Sequence, residues 1–269
     1  MSEHTARVVE LAYEEHGPKS ARAIVLLHGS PLDRRMWKPQ LEDFVGAGYR
    51  VVLPDLRGHG RSPTPAAPWS LANCAADLFA LADRLEIERF VLGGLSVGGM
   101  VAVAAAKAAP QRVEGLLLAA TRADADAPSE VASRRRAADE LRERGSIGAE
   151  SFVPRVFTAD TISQRPALVS EFLAIANAQP LEGRTAMLDA IARRENVLPW
   201  LETAKVPALA IVGEEDPITP PSMSREIHRR LAGSFLQVIE EASHLVNMEA
   251  PGVFNRAALN WLEFSQLEP

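Results

Sequence analysis

The sequence predicts an α/β fold in which a mostly parallel central sheet is flanked by helices. Short apolar runs rich in branched residues recur along the 269 residues, and segments with helical spacing of apolar residues stand between them. Runs that are apolar on both faces are typical of strands that helices cover on both sides. Because strand and helix patterns alternate, the sheet is expected to be mostly parallel. An apolar content of 47% is ample for a sizeable core.

The individual elements follow from these patterns. The apolar runs predict strands at residues 23–27, 51–53, 90–92, 113–120, 208–212 and 235–239. The helical spacing predicts helices at residues 36–45, 71–85, 98–109, 222–231 and 253–264.

Residues 122–200 break the alternation. This stretch has no convincing strand pattern, only helical patterns punctuated by Pro154, Pro166 and Pro180. We expect a helical cap at 122–200, inserted into a core formed by 1–121 and 201–269. Open α/β sheets bind ligands beyond the carboxyl ends of their strands, so the cap would lie over the binding site. Helices that only stabilise the fold, without covering a binding site, would give the same sequence pattern.

Charge and hydropathy exclude several classes of partner. The net charge is -6 and no long Lys/Arg tract occurs, which argues against nucleic-acid binding. The densest basic run, Arg134, Arg135 and Arg136, has acidic neighbours and is typical of a solvated helix face. No apolar run reaches the roughly 18 residues of a membrane span, and no leader pattern opens the chain. We therefore expect a cytoplasmic protein that contacts neither membrane nor nucleic acid; the patterns do not predict its oligomeric state.

Ser96 stands at the centre of a glycine-rich segment. In VLGGLSVGGMVAV (residues 91–103), Gly94 lies two residues before Ser96 and Gly98 two residues after it. A sharp turn from strand to helix brings these positions close to each other and to neighbouring backbone, where side chains would clash, and it exposes the serine at its tip. The unpaired N–H groups at the helix start could stabilise an oxyanion. Ser96 is therefore the predicted nucleophile.

A serine nucleophile needs a base, and His244 is the predicted one. His244 follows the last predicted strand and precedes a helix opened by Pro251, so it would hang from a loop at the carboxyl edge of the sheet. His28 and His59 are interpreted as residues that shape loops. The remaining histidines fall in polar segments typical of the surface: His4, His16 and His228.

The histidine in turn needs a carboxylate to fix its tautomer. The segment ALAIVGEEDPITP (208–220) offers Glu214, Glu215 and Asp216 directly after a strand. Asp216 is preferred because Pro217 stiffens the turn that aims it. The alternative is that all three are solvated loop charges.

Two backbone N–H groups are candidates for an oxyanion hole. Val97 follows Ser96 at the helix start. The segment LLHGSPLDRRMW (26–37) turns after His28 and Gly29, so the N–H group of Ser30 could point to the same place. The Ser30 side chain is expected to be incidental.

These residues resemble the α/β-hydrolase superfamily over nearly the whole chain. The matching segments are HGSPLDRRMW (28–37), PDLRGHGRS (54–62), GLSVGG (94–99), GEEDPITP (213–220) and ASHLVNMEAP (242–251), in the correct order. The serine, acid, histidine order is also the one expected of this superfamily. The resemblance implies Ser96 as nucleophile, Asp216 as acid and His244 as base, with N–H donors at Ser30 and Val97 and no metal or organic cofactor.

Within the superfamily, the sequence is most similar to the branch that holds 3-oxoadipate enol-lactonases, small carboxylesterases and cofactor-free haloperoxidases. Haloperoxidase-like members often carry a large aromatic residue after HG and Met after the nucleophile, whereas this chain has Ser30 and Val97. The resemblance therefore implies hydrolysis of a small ester or lactone through an acyl-enzyme, rather than peroxidase-like chemistry. Serine at position 96 also argues against dehalogenases and most epoxide hydrolases, which carry aspartate there.

Residues for substrate binding are less clearly marked. An apolar pocket could be lined by Trp37, Phe152, Phe157 and Leu245, although such residues at helical spacing are more often core. A substrate carboxylate would need a cation in the cap, and the spacing does not choose among Arg155, Arg165 and Arg184.

Two alternative functions stay open. The same triad hydrolyses carbon–carbon bonds of diketone-like substrates in relatives of this fold. Other relatives, among them plant hormone receptors, keep the fold and triad but act as ligand receptors.

Overall fold

The structure is a computed structural model that describes residues 7–66, 68–145 and 148–269. The predicted surface residue His4 lies outside these ranges. Within them, seven strands form one sheet in the order β1-β3-β2-β4-β5-β6-β7, with β1 antiparallel and all others parallel. The strands are β1 (Tyr13–His16), β2 (Ala23–Leu27), β3 (Arg50–Pro54), β4 (Phe90–Leu95), β5 (Val113–Ala119), β6 (Ala208–Gly213) and β7 (Phe235–Ile239).

Helices cover both faces of this sheet. They are α1 (Lys38–Gly46), α2 (Leu71–Arg84), α3 (Val97–Ala108), α4 (Pro128–Arg144), α5 (Val153–Val156), α6 (Ala159–Gln164), α7 (Pro166–Asn177), α8 (Leu181–Ala192), α9 (Leu198–Leu201), α10 (Pro221–Arg230), α11 (Val246–Glu249) and α12 (Pro251–Phe264). Two 3₁₀ turns, Arg34–Trp37 and Ala149–Phe152, precede α1 and α5. Among the described residues, no helix is both long and apolar enough to span a lipid bilayer.

Local sequence explains where several helices begin. At the start of α2, the Asn73 N–H donates to the Ser70 hydroxyl and the Ser70 N–H donates to the Asn73 side chain at 2.8 Å. This reciprocal pair satisfies two N–H groups that lack partners inside the helix. Proline, whose fixed φ suits a first helical position, opens α4, α7, α10 and α12.

The core divides into two layers because successive strand residues point to opposite faces. Val25 packs in the layer under α2 and α3, whereas Ile24 packs in the layer under α1 and α12. Every residue of β2, β3, β4 and β6 is buried. This arrangement confirms the predicted α/β class with a mostly parallel sheet.

The two edge strands differ from the sequence-based expectation. The polar strand β1 was not predicted, because Glu14 and Glu15 interrupt any apolar pattern; they form ion pairs with Arg34 and Arg50. The strand β7 has the predicted bounds, but it is half exposed rather than buried on both faces, since it is the last strand of the sheet.

Between β5 and β6 the described residues form only helices, turns and loops. We call residues 122–200 the insertion. Its helices contribute to both core layers: Phe172 and Ile175 of α7 join the α1/α12 layer, whereas Met187 and Ala190 of α8 join the α2/α3 layer. The insertion is therefore packed against the sheet as part of the core.

Candidate active site

Ser96 occupies a strained turn between β4 and α3. Its backbone has φ 56° and ψ -118°, a conformation that residues other than glycine rarely adopt. Two hydrogen bonds hold it: the Ser96 N–H donates to the Ala119 carbonyl at 2.9 Å, and the Thr121 hydroxyl donates to the Ser96 carbonyl at 2.7 Å. The strain is thus maintained by the neighbouring strand, which is typical of a functional residue.

Close backbone packing explains the glycines around Ser96. A Cβ atom at Gly94 would lie 2.2 Å from the carbonyl carbon of Gly98. A Cβ atom at Gly98 would lie 2.2 Å from the Leu27 carbonyl oxygen. Both contacts are far inside the van der Waals limit, so the turn requires glycine at both positions, as the sequence indicated.

His244 and Asp216 form a buried hydrogen-bonded pair. His244 Nδ1 lies 2.8 Å from Asp216 Oδ2, and the two residues are 5% and 3% exposed. Asp216 also accepts hydrogen bonds from the N–H groups of Ile218 and Thr219 and from the Thr219 hydroxyl. These hydrogen bonds distinguish Asp216 from Glu214 and Glu215, the other acidic residues of this loop.

Glu214 and Glu215 are exposed, whereas Asp216 alone is buried beside the imidazole. Burial is the largest influence on the Asp216 carboxyl and raises its pKa. The charge and hydrogen bond of His244, with the donors of Thr219, outweigh burial and hold the pKa below its ordinary value. The carboxylate thus stays ionised and keeps the proton of a neutral His244 on Nδ1.

Ser96 and His244 line one cavity of about 420 Å³, together with Ser30, Val97 and Leu245. Each of these residues lies within a few positions of the carboxyl end of β2, β4 or β7. The opposite wall comes from the insertion and includes Phe152, Arg155, Phe172, Leu188 and Ile191. Within the described residues, the only hydrogen bonds of the His244 ring are those of Nδ1, to Asp216 and Thr219.

Ser30 and Val97, the predicted N–H donors, line the same cavity as Ser96. Val97 is the first residue of α3, so its N–H group has no acceptor inside the helix. The loop before Ser30 is packed against the Ser96 turn, because a Cβ atom at Gly29 would lie 3.4 Å from the Leu95 carbonyl oxygen and 3.6 Å from Ser96 Cβ. Ser30 and Val97 both line the cavity.

Two buried histidines support this loop. His28 Nε2 accepts from the Leu56 N–H at 2.8 Å, and its Nδ1 lies 2.9 Å from the Gly29 carbonyl. His59 Nδ1 lies 3.1 Å from the Arg57 carbonyl, which leaves Nε2 to accept from the Ser30 hydroxyl at 2.9 Å. Burial lowers the pKa of His28 to about 4 and that of His59 to about 3, so both rings are neutral.

Two of the four residues of the predicted apolar pocket line the cavity, and the other two lie in the core. Phe152 and Leu245 line the cavity. Phe157 is buried and packs edge-to-face against Phe172, with the ring centroids 5.6 Å apart. Trp37 is fully buried on the 3₁₀ turn before α1, where it packs against Phe254 rather than facing the cavity.

Of the three arginines considered as partners of a substrate carboxylate, one lines the cavity. Arg155 lines the cavity, whereas Arg165 donates to the backbone carbonyls of Met248 and Glu249, and Arg184 is buried in α8. Arg134, which the sequence assigned to a solvated helix face, is half-buried and lines the cavity, unlike the exposed Arg135 and Arg136.

Sequence reasoning missed two supporting residues. Thr219 bonds to Asp216 from three positions later, a local turn in which an acidic side chain accepts hydrogen bonds from the following backbone, so the spacing in DPIT could have indicated it. Buried Glu249 accepts from the Ser243 N–H and from the N–H and hydroxyl of Thr158, which joins the His244 loop to the insertion. This second contact is long-range and has no local signal.

Comparison with known proteins finds relatives that match nearly the whole chain. The curated 3-oxoadipate enol-lactonase 2 of Acinetobacter baylyi is 30% identical over 94% of this chain and 93% of its own length. Among solved structures, a thermophilic esterase from Thermogutta terrifontis has a TM-score of 0.91 and 36% identity, with 96% of this chain and 94% of that chain covered.

A second solved structure, the enol-lactonase from Burkholderia xenovorans, has a TM-score of 0.89 and 30% identity and covers 96% of this chain and 98% of its own. The sequence profile described as the Alpha/beta hydrolase family matches residues 24–257. The chain therefore belongs to the alpha/beta hydrolase family.

Proposed function

We propose that this protein is a serine hydrolase that cleaves carboxylic esters or lactones through a Ser96-His244-Asp216 triad. The observation that carries the proposal is that a strained serine and a carboxylate-bound imidazole open on one cavity. The names of the similar enol-lactonases and esterase support ester and lactone bonds as the substrate class.

In the proposed reaction, Ser96 Oγ attacks the substrate carbonyl carbon. His244 Nε2 takes the hydroxyl proton as general base, and the ionised Asp216 stabilises the imidazolium that forms. Because Asp216 keeps the proton of neutral His244 on Nδ1, the free lone pair lies on Nε2, the nitrogen that the reaction needs. Removal of Asp216 would disturb both the tautomer and the charge.

The tetrahedral intermediate carries a negative oxygen, and the N–H groups of Ser30 and Val97 would donate to it. Such donors are worth roughly 3 to 4 kcal/mol each in related chemistry. Collapse of the intermediate transfers the imidazolium proton to the leaving alkoxide and leaves an acyl group on Ser96. Water activated by His244 then releases the acid and restores the serine.

Arg155 indicates a narrower class of substrate. Among the residues that the structure describes, three arginines line the cavity and two of them are neutralised: Arg122 donates to Glu130 at 2.7 Å and Arg134 to Asp126 at 2.5 Å. Within the described part of the chain, Arg155 forms no ion pair, and its guanidinium stands over the Phe152 ring at 5.9 Å. An ester or lactone that bears a free carboxylate would therefore find a charged partner in Arg155.

The proposed function is tested by hydrolysis of p-nitrophenyl esters and a panel of small lactones. The wild-type protein is expected to turn over repeatedly, and Ser96→Ala to lose activity by on the order of 10⁴-fold while it keeps its thermal stability. Undiminished activity in Ser96→Ala would refute the assignment of the nucleophile. No turnover of any ester or lactone by the wild type would refute the proposed reaction.

The carboxylate preference has its own test. For a dicarboxylic acid, kcat/KM is compared between the anionic monoester and the neutral diester. Arg155→Gln is expected to lower the ratio of the two values about tenfold, since one charge-assisted hydrogen bond is lost. Exposed Arg135→Gln on the neighbouring helix is the matched control. A ratio that Arg155→Gln leaves unchanged would remove Arg155 from substrate recognition.

A further inference from the structure

A second cavity of about 400 Å³ adjoins the cavity that contains Ser96. Its wall is formed mainly by apolar side chains of α2, α3 and α8, among them Leu71, Ala104 and Ala190. Among the described residues, Met100 and Arg122 are the only two that line both cavities. These two side chains are therefore the partition between the cavities.

The two side chains of the partition differ in how they are held: Arg122 is fixed by hydrogen bonds, and Met100 is not. Arg122 is 6% exposed and is fixed by hydrogen bonds to Asp124 at 2.6 Å and to Glu130 at 2.7 Å. Met100 lies one helical turn after Ser96, where its N–H donates to the Ser96 carbonyl at 3.1 Å. Its unbranched side chain has three rotatable bonds and no polar group to anchor it. A change of the Met100 rotamer would therefore connect the cavities beside the proposed nucleophile.

The chemistry of the second cavity favours an uncharged aliphatic occupant. The charged residues that line it are engaged with other groups: Lys107 pairs with Glu195 at 2.7 Å, and Arg194 pairs with Asp126 at 2.7 Å. Arg193 donates to the Trp69 carbonyl at 2.8 Å. Arg193 is exposed to solvent, and the apolar wall around Leu71, Ala104 and Ala190 offers no charged partner, so a hydrocarbon chain would displace only water from that wall.

We propose that the second cavity is a subsite for an unbranched aliphatic chain of the ester substrate, and that Met100 controls entry into it. This inference rests on the proposed ester hydrolysis at Ser96. Short substrates occupy the first cavity alone. A longer chain displaces the Met100 side chain and extends between α3 and α8, where burial of each further methylene raises kcat/KM by about fourfold until the subsite is full.

The test uses two substrate series and three variants. One series lengthens the acyl chain of p-nitrophenyl esters from acetate to dodecanoate, and the other lengthens the alkyl group of acetate esters, so that the two series show which side of the ester enters the subsite. Met100→Ala is expected to raise the ratio of long-chain to short-chain kcat/KM about tenfold. Ala104→Phe, which fills the second cavity one turn further along α3, is expected to lower that ratio about tenfold. Met100→Leu conserves side-chain volume and is the control, with a change of less than about threefold.

A second readout does not depend on turnover. Binding of 2-decanone, a ketone that cannot be hydrolysed, is measured by calorimetry to Ser96→Ala and to Ser96→Ala combined with Ala104→Phe. The inference predicts at least about tenfold weaker binding to the double variant. Equal binding, or chain-length profiles that neither Met100→Ala nor Ala104→Phe alters in folded protein, would overturn it. If esters are not hydrolysed but the ketone binding shows the predicted difference, the proposed reaction fails and the subsite stands.

Discussion

The two walls of the Ser96 cavity are held in place by different forces. The wall that comes from the sheet edge is fixed by backbone contacts and buried hydrogen bonds, such as the contact that excludes a Cβ atom at Gly98 and the bond from His244 to Asp216. The insertion wall is held by apolar packing of Phe172 and Ile191 and by ion pairs, of which Arg194–Asp126 is buried and Arg142–Asp189 is more exposed. In the proposed reaction, the sheet-edge wall carries the chemistry, and the insertion wall selects the substrate.

The two walls meet at the His244 loop. The Leu245 N–H donates to the Val156 carbonyl at 3.1 Å, and Glu249 bonds to Thr158 of the insertion. These contacts orient the base relative to the insertion. A substitution in the insertion that leaves them intact should change substrate preference more than the rate of the chemical step.

The largest expected effect comes from the rigid wall. Asp216→Asn should lower kcat for ester hydrolysis by on the order of 10⁴-fold, because an amide at this position no longer stabilises the imidazolium and permits the wrong His244 tautomer. Steady-state kinetics on a p-nitrophenyl ester measure this loss. Glu215→Gln, on the exposed neighbour, is the control. A loss below about tenfold in Asp216→Asn would mean that another group fulfils its role.

A packing substitution in the same wall should be the next most severe. Gly98→Ala places a Cβ atom 2.2 Å from the Leu27 carbonyl oxygen, so the turn must shift. We expect the free energy of unfolding to fall by about 3 kcal/mol and activity to fall with it. Urea denaturation measures the first quantity. Gly46→Ala, where an added Cβ atom meets nothing within 4 Å, is the matched control. Wild-type stability in Gly98→Ala would contradict the described turn.

Acid should weaken the same wall through its buried histidines. The pKa of His59 falls from its ordinary value of 6.5 to about 3 in the folded chain, so between those values the unfolded state binds a proton that the folded state does not. The contribution of neutral His59 to stability is thus fully present above about pH 6.5 and is lost as the pH falls toward 3. His59→Gln should reduce the slope of the unfolding free energy by about 1.4 kcal/mol per pH unit between these limits.

Denaturation of both proteins from pH 7 down to pH 5 provides this measurement. Parallel stability curves for His59→Gln and wild type would show that His59 is not held neutral by burial.

The smallest effect is expected in the insertion wall. Arg142 of α4 pairs with Asp189 of α8 at 2.6 Å, but the two side chains are 47% and 25% exposed. Solvent screening of such a pair limits the loss in Asp189→Asn to less than about 1 kcal/mol. Chemical denaturation should therefore scarcely distinguish the variant from wild type. A larger loss would indicate that ion pairs rather than apolar packing hold α4 against α8.

The contrast between the walls also explains what the sequence could predict. The strands, the Ser96 turn and the positions of His244 and Asp216 follow from short local patterns, such as apolar runs and glycines at fixed offsets. The strand Tyr13–His16 escaped prediction because a half-exposed edge strand needs no apolar run. The positions of Trp37 and Phe157 depend on how helices pack across the chain, and no local pattern reports that.

The long-range partners were equally hidden from the sequence. Met100 lines two cavities only because residues of α3 and of the insertion meet there, and Glu249 supports the His244 loop only because Thr158 lies beside it. Residues that line the cavity are therefore found by structure, whereas the residues proposed to carry the chemistry are found by motif.

The central claim is that Ser96 is the nucleophile that His244 activates, and covalent trapping tests it most directly. The protein is treated with a p-nitrophenyl alkylphosphonate, and the labelled residue is located by mass spectrometry of peptides. We expect one phosphonyl group per chain, attached to Ser96, with no labelling of Ser96→Ala and much slower labelling of His244→Gln. A label on any other residue, or ester hydrolysis by a protein that the phosphonate does not label, would contradict it.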